Sequence, residues 1–276
     1  MNARDLTVKH VGMVGAGRMA QPMIGHLVRK GYQVAAYDID PAKRAAVEAK
    51  GGRWAESLAA LARECEVILI CVGFDRELRE ILAPDGGLKD LPAGRVIAVL
   101  STVQPETIVD LARMAGQRGI HLVDSTVCRG GKAADEGTLL SFVGGAPDVV
   151  AALKPVLSAY SADIVHTGPV GTAQVAKAAN NMIMWSCLIA NHEALALAQR
   201  YGMDPEALRE ALLMSSADNS VLRKWGENTM AWAEDDMEIV QKMAAAKGIG
   251  LPQAGVNREI CRILKPKRFK LDEYGR

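Results

Sequence analysis

Lys177 and Asn181 stand four residues apart in the stretch Gly168-Pro169-Val170-Gly171-Thr172-Ala173-Gln174-Val175-Ala176-Lys177-Ala178-Ala179-Asn180-Asn181, which past its Gly/Pro turn is almost all small or apolar. Residues at i and i+4 of a helix lie one above the other on one face, so the ammonium and the carboxamide point together. A buried ammonium is costly unless something uses or satisfies it. The chemistry such a pair offers is proton transfer by the lysine beside a hydrogen-bonding amide that orients the reacting group.

A second set of residues has phosphate-binding character. Gly15-Ala16-Gly17-Arg18-Met19-Ala20 fits GxGxxG/A. The first Gly permits a tight turn, the second lets a pyrophosphate approach the backbone, and the small last residue lets helix and strand pack closely. The motif follows an apolar strand pattern and precedes a helical one, the context in which helix N-terminal amides face a dinucleotide. Asp38 lies about 23 residues beyond Gly15, at the end of the next strand pattern, where a carboxylate accepts the adenosine ribose hydroxyls. Asp40 adds negative charge and, standing before Pro41, also reads as a helix cap. Two acids favour NAD over NADP, while Lys43 and Arg44 are the residues able to reach a 2′-phosphate.

Ligands of open α/β sheets sit beyond the carboxyl ends of the strands. Three segments fall there: Cys71-Val72-Gly73-Phe74, Ser101-Thr102-Val103-Gln104-Pro105, and Asp124-Ser125-Thr126-Val127-Cys128-Arg129-Gly130-Gly131. Val72 is placed against the cofactor, and Thr102 either contacts a nicotinamide or caps the helix beginning near Pro105. The third segment reads as a loop whose Gly pair and Arg form an anion cradle, Cys128, Arg129 and Gly130 being its substrate-facing residues; a solvated surface Arg is the plainer reading.

Around these residues the pattern is α/β and then α. Strands are expected at His10–Val14, Gln33–Tyr37, Val67–Val72, Val96–Leu100, Ile120–Val123, Leu139–Val143 and Ile164–His166, alternating with helices at Met19–Lys30, Pro41–Lys50, Ser57–Arg63, Arg76–Leu82, Pro105–Gln117 and Asp148–Leu157. Strands apolar on both faces suit a parallel sheet covered on each side. Thr172 to Arg200 reads as one helix of roughly 45 Å at ~1.5 Å per residue, apolar nearly all round and so buried on most sides. Asp204-Pro205-Glu206 opens another helix. His192 is expected to make a polar contact in the core, and Trp225 and Trp232 to pack.

With 276 residues, two domains are expected. A formal charge of +1 gives no reason for a nucleic-acid partner. Five cysteines without CxxC or Cys/His spacing suggest neither disulfides nor a metal site, and point to a reducing compartment. The polar N-terminus lacks the apolar core of a signal peptide, and no apolar run reaches ~20 residues, so a cytoplasmic protein off the membrane is the expectation.

Gly12-Met13-Val14-Gly15-Ala16-Gly17-Arg18-Met19, then Leu100-Ser101-Thr102-Val103-Gln104-Pro105, then Gly168-Pro169-Val170-Gly171 leading to Lys177-Ala178-Ala179-Asn180-Asn181, resemble the β-hydroxyacid dehydrogenase family over nearly the whole chain. The resemblance implies an α/β fold in which an N-terminal Rossmann doubly wound sheet (1–168) precedes an all-α C-terminal domain (169–276), the two joined by a long interdomain helix. It implies hydride transfer between NAD(H) and a small acidic substrate, a hydroxy acid or semialdehyde acid, at the cleft between the domains. Lys177 is then the acid/base, Asn181 the residue that binds substrate beside it, and the protein a homodimer or homotetramer.

Two departures stand out. Where the family reads Asp-Ala-Pro-Val-Ser-Gly-Gly, this chain has Ser125 and Thr126 at Ala-Pro, Cys128 at the Ser and Arg129 at the first Gly. Asp235 occupies the place of a late Lys. These keep two alternatives in play: a decarboxylating dehydrogenase of a phosphorylated sugar acid with Arg129 on the phosphate, and a dinucleotide-binding sensor without turnover.

Overall fold

The computed structural model describes residues 7–275; the start of the polar N-terminal stretch, residues 1–6, lies outside them. Eight strands form one sheet: β1 (His10–Val14), β2 (Gln33–Tyr37), β3 (Arg53–Trp54), β4 (Val67–Ile70), β5 (Val96–Val99), β6 (His121–Cys128), β7 (Leu139–Gly144) and β8 (Ser161–Gly168), in the order β3-β2-β1-β4-β5-β6-β7-β8. Between β1 and β4 the order reverses direction, which is where doubly wound sheets bind nucleotides. Every residue of β4 and β5 is buried, as their unbroken Val/Ile/Leu/Ala runs require for strands covered on both faces.

The covering helices are α1 (Ala20–Arg29), α2 (Arg44–Ala49), α3 (Leu58–Glu64), α4 (Asp75–Leu82), α5 (Pro105–Gln117), α6 (Gly130–Glu136) and α7 (Pro147–Leu157). Met23, Ile24 and Leu27 of α1 share one core with Leu153, Val156 and Leu157 of α7. Leu61 of α3, Leu78 of α4, and Ile108 and Leu111 of α5 make a second.

Within the sheet the structure corrects the sequence-based expectation in three places. β3, two residues long, has too little pattern to be read. β7 runs antiparallel to β6, so the sheet is not wholly parallel; residues 129–138 are fewer than the dozen or so that a crossover back to a parallel neighbour needs. The stretch Asp124–Gly131, expected to be a loop, is strand to Cys128 and helix from Gly130, because β7 pairs with each residue from Asp124 to Cys128 and so extends β6 past its parallel partner.

The remaining elements are α8 (Thr172–Arg200), α9 (Pro205–Leu213), α10 (Ser220–Arg223), α11 (Ala233–Ala246) and α12 (Pro252–Leu264). Two compact units divide inside α8, between Lys177 and Ala178. The second unit is built on Trp185, Leu188 and Ile189 of α8, Met237 and Val240 of α11, and Cys261 and Leu264 of α12. Its α8 is less covered than its composition suggested: Ile183 is 60 % and Leu197 61 % exposed. His192 is fully buried, its Nε2 accepting the Phe269 N–H (3.0 Å), and Trp225 packs on His192 and on Phe269. Trp232, expected to pack, is 54 % exposed at the entrance to α11. No helix among the described residues is long and apolar enough to cross a membrane.

Candidate active site

The turn after β1 has the geometry its glycines predict. Gly15 sits at φ +88° and a Cβ there would overlap the Cys71 carbonyl, whereas a Cβ on Gly17 would meet nothing within 4 Å. One glycine is therefore forced by the backbone, and the other leaves open room above the turn. No side chain caps α1, so its first amides remain available to an anion. The Asp38 carboxylate, at the end of β2, accepts the Ala16 N–H (2.7 Å) and the Asp40 N–H (2.9 Å), which ties the acid to the turn. These features fit a dinucleotide. Of the cations near it, Lys43 pairs with Asp40 (3.6 Å), and Arg44 with Glu48 (2.9 Å) and Glu56 (3.2 Å). Arg18 turns to α6 and binds Asp135 through both guanidinium nitrogens (2.8 and 2.5 Å).

Beside this turn the Val72 N–H, just past β4, donates to Ser101 Oγ (2.9 Å). Ser101 and Thr102 follow β5. Gln174, which is buried, joins that loop to α8: its Oε1 accepts the Val103 N–H (3.0 Å) and its Nε2 donates to the Ser101 carbonyl (2.9 Å). The start of α8 is held from β6 as well. Asp124, with no exposed surface, accepts the Gly171 N–H (2.8 Å) and the Gln174 N–H (3.0 Å), while Thr126 Oγ1 donates to the Ala173 carbonyl (3.0 Å). Burial raises the Asp124 pKa above the ordinary carboxylate value, an effect opposed by those amides. Sequence reasoning did not single out Asp124 and Gln174 in these roles. A lone acid at the end of the strand pattern Ile120–Val123 was the one signal for Asp124; Gln174 carried none.

This anchoring places Lys177. Its Nζ donates to the Val127 carbonyl (2.8 Å) and lies 3.9 Å from Cys128 Sγ, so the half-buried ammonium stands at the outer end of β6. Asn181, one helical turn on, is buried, and its Oδ1 accepts from Asn180 Nδ2 (3.0 Å). Arg129 follows Cys128 in the left-handed region (φ +85°) as the N-cap of α6, and Gly130 continues at φ +78°. The Arg129 guanidinium donates to the Thr138 carbonyl (3.0 Å) and to Asp163 Oδ2 (2.6 Å). Asp235 lies in the first turn of α11 with Glu234 and Asp236, where negative charge complements the helix dipole. Asp236 also accepts from Trp185 Nε1 (2.9 Å). Among the described residues no group of three or more His, Cys, Asp or Glu is arranged to hold a metal ion.

A doubly wound sheet with a glycine turn after its first strand and an acid at the end of the second defines a dinucleotide-binding class. Two family profiles match the chain: the NAD binding domain of 6-phosphogluconate dehydrogenase over residues 10–168, and the NAD-binding domain of NADP-dependent 3-hydroxyisobutyrate dehydrogenase over residues 171–272. The 2-(hydroxymethyl)glutarate dehydrogenase of Eubacterium barkeri is 33 % identical over 75 % of this chain and 69 % of its own. The 3-hydroxyisobutyrate dehydrogenase of Pseudomonas aeruginosa is 32 % identical over 77 % of this chain and 72 % of its own. The solved 3-hydroxyisobutyrate dehydrogenase of Mycobacterium tuberculosis, bound to L-serine, shares the fold with a TM-score of 0.87 at 22 % identity, covering 95 % of each chain. The chain belongs to the β-hydroxyacid dehydrogenase family and is an NAD(P)-dependent oxidoreductase.

Proposed function

We propose that this enzyme moves a hydride between NAD(H) and the carbinol carbon of a small β-hydroxy acid, or the carbonyl carbon of the matching semialdehyde acid, with Lys177 as acid/base. The observation that carries the reading is the placement of the half-buried Lys177 ammonium, 2.8 Å from the Val127 carbonyl, beside the turn Cys128-Arg129-Gly130. The dinucleotide, held by Gly15, Ala16, Gly17, Arg18, Met19 and Asp38 with Val72 and Thr102 alongside, supplies or accepts the hydride. Lys177, when protonated, donates to the carbonyl oxygen as it is reduced; when neutral it takes the proton of a hydroxyl being oxidised. Asn181 orients that oxygen, and the backbone of Cys128, Arg129 and Gly130 receives the acid group. The anchors at Asp124 and Gln174 keep the first turns of α8 from shifting, since small misplacements of reacting groups are costly.

Replacing Lys177 with Ala is expected to lower kcat by about 10²- to 10⁴-fold with NADH affinity retained. Near-normal turnover in Lys177→Ala would overturn the mechanism. NAD is the preferred cofactor in this reading, because Asp38 meets the ribose while Lys43 and Arg44 are already neutralised by Asp40, Glu48 and Glu56. In this reading the functional division is drawn at 168/169, after β8, nine residues ahead of the boundary between the compact units inside α8. The exposed Ile183 and Leu197 lie on one side of α8, within about 40° at ~100° per residue, with the exposed Ala190 and Ala194 between them. This face suits a second subunit. Ile183→Glu is expected to lower the mass measured by light scattering, and an unchanged mass would remove this face from the interface.

A further inference from the structure

Arg129 is one of three non-glycine residues at positive φ among those described, and it sits at the start of the turn to which the acid group of the substrate is assigned. A non-glycine side chain persists in that backbone region only where its surroundings over-determine it. Here they do. The guanidinium reaches the Thr138 carbonyl, at the exit of α6, and Asp163 on β8. It thereby closes the excursion from β6 to β7 and ties it to the next strand. The last turn of α6 is held independently of Arg129: Asp135 by Arg18, and the Ala134 and Asp135 carbonyls by His26 Nε2 at 3.1 Å each.

The register locates Asp163, the guanidinium's partner. Cys128 pairs with Leu140 on β7, and Leu140 with Asp163 on β8. Asp163 is therefore two strands from Cys128, roughly 10 Å at ~4.8 Å per strand, while Lys177 Nζ stands on β6 itself. One carbon separates the carbinol carbon of a β-hydroxy acid from its carboxyl carbon. A substrate whose hydroxyl meets Lys177, 2.8 Å from the Val127 carbonyl, has the Arg129-Gly130 turn two residues on to receive its carboxylate, while the guanidinium is already engaged by the Thr138 carbonyl and Asp163.

Resting on the β-hydroxy acid reading above, we infer that Arg129 and Asp163 are positioning residues. Their ion pair staples the Arg129-Gly130 turn in the conformation that presents its amides to the substrate carboxylate, and the guanidinium is not the carboxylate's ligand. Two roles for Arg129 then predict opposite signs at Asp163. If the pair is a staple, removing either partner loosens the turn. If the guanidinium binds substrate, removing Asp163 frees it and improves binding.

The test is steady-state kinetics of the full-length enzyme with NAD and 3-hydroxyisobutyrate for Asp163→Asn, Arg129→Gly, Arg129→Lys and the double variant Arg129→Gly/Asp163→Asn. It is accompanied by hydrogen exchange of residues 126–137 in Asp163→Asn. The expected result is a KM raised about fivefold to tenfold in Asp163→Asn with kcat unchanged. Arg129→Gly should show a similar rise, the double variant no further rise because the two act as one unit, and Arg129→Lys partial recovery because an ammonium reaches one partner of the fork. Amide exchange in residues 126–137 should speed up in Asp163→Asn at an unchanged Tm. A KM that falls or stays level in Asp163→Asn while rising 100-fold or more in Arg129→Gly overturns the staple and makes the guanidinium the ligand; unchanged exchange overturns it also. Wild-type enzyme inert toward β-hydroxy acids would instead overturn the substrate reading, and the exchange measurement would still decide the staple.

Discussion

Two strand-to-helix turns in this protein use the same unusual backbone by different means. At Gly15 (φ +88°) the neighbouring Cys71 carbonyl occupies the place of a Cβ, so glycine is imposed by the packing of main chain on main chain. At Arg129 (φ +85°) the chain carries a long side chain in a region that favours glycine, and the guanidinium's bonds to Thr138 and Asp163 hold it there. In the proposed reading the first turn meets the pyrophosphate, a part common to all dinucleotides, and its geometry follows from the backbone alone. In the same reading the second turn meets the substrate's acid group, and here side chains set the geometry.

That contrast can be broken first at the glycine. Gly15→Ala should combine backbone strain of about 1–3 kcal/mol with overpacking of about 1–3 kcal/mol and abolish NADH binding. Arg129→Gly relieves strain and gives up an exposed ion pair worth about 0–1 kcal/mol, so its unfolding free energy should stay within about 1 kcal/mol of wild type. Urea denaturation of the two variants measures the difference directly; equal losses would mean that the two turns are held alike.

Asp124→Ala tests the anchor between the turns. Leaving the Gly171 and Gln174 amides without their buried acceptor should cost about 2–3 kcal/mol and lower kcat by displacing Lys177. A stability loss with kcat intact would separate the anchor from catalysis. Asp38→Ala should weaken NAD binding about tenfold or more, through loss of hydrogen bonds to a charged acceptor, and shift preference toward NADP. Fluorescence titration with both cofactors reads this, and an unchanged ratio would exclude Asp38 as the discriminator.

The smallest effect is expected in the helical unit. Burial lowers the pKa of His192, against the raising influence of Glu193. Between that lowered value and about 6.5, the unfolded chain holds a proton on this residue that the folded chain does not. Stability should therefore fall as pH drops through this window. The folded imidazole must also stay neutral at Nε2 to accept the Phe269 N–H. Urea midpoints at about pH 7.5 and 5.5 should differ less in His192→Asn than in wild type, and an equal difference would assign the slope to other groups.

Much of the cofactor half was legible in the sequence, because its determinants are local. A run of apolar residues makes β1, glycines follow at fixed offsets, and Asp38 comes one β-α-β step later. Lys177 and Asn181 were legible for the same reason, a spacing of one helical turn. The segment after Asp124 was not. Whether Ser125 to Cys128 form loop or strand depends on β7 coming back alongside them, and nothing within the segment records that partner.

The sequence by itself thus determined the order of β1, β2, β4, β5 and most of the long helices, the glycine turn with an acid at the end of the next strand, and the one-turn spacing of Lys177 and Asn181, since each is set by interactions among residues close in the chain. Only the tertiary structure decided that β7 is antiparallel, that Asp124 and Gln174 anchor the helix bearing Lys177, and that Arg129 spends its charge on Asp163. Those pairs lie 34 to 73 residues apart, and their partners are chosen by how the sheet and α8 pack, a choice made at long range by burial and hydrogen-bond satisfaction.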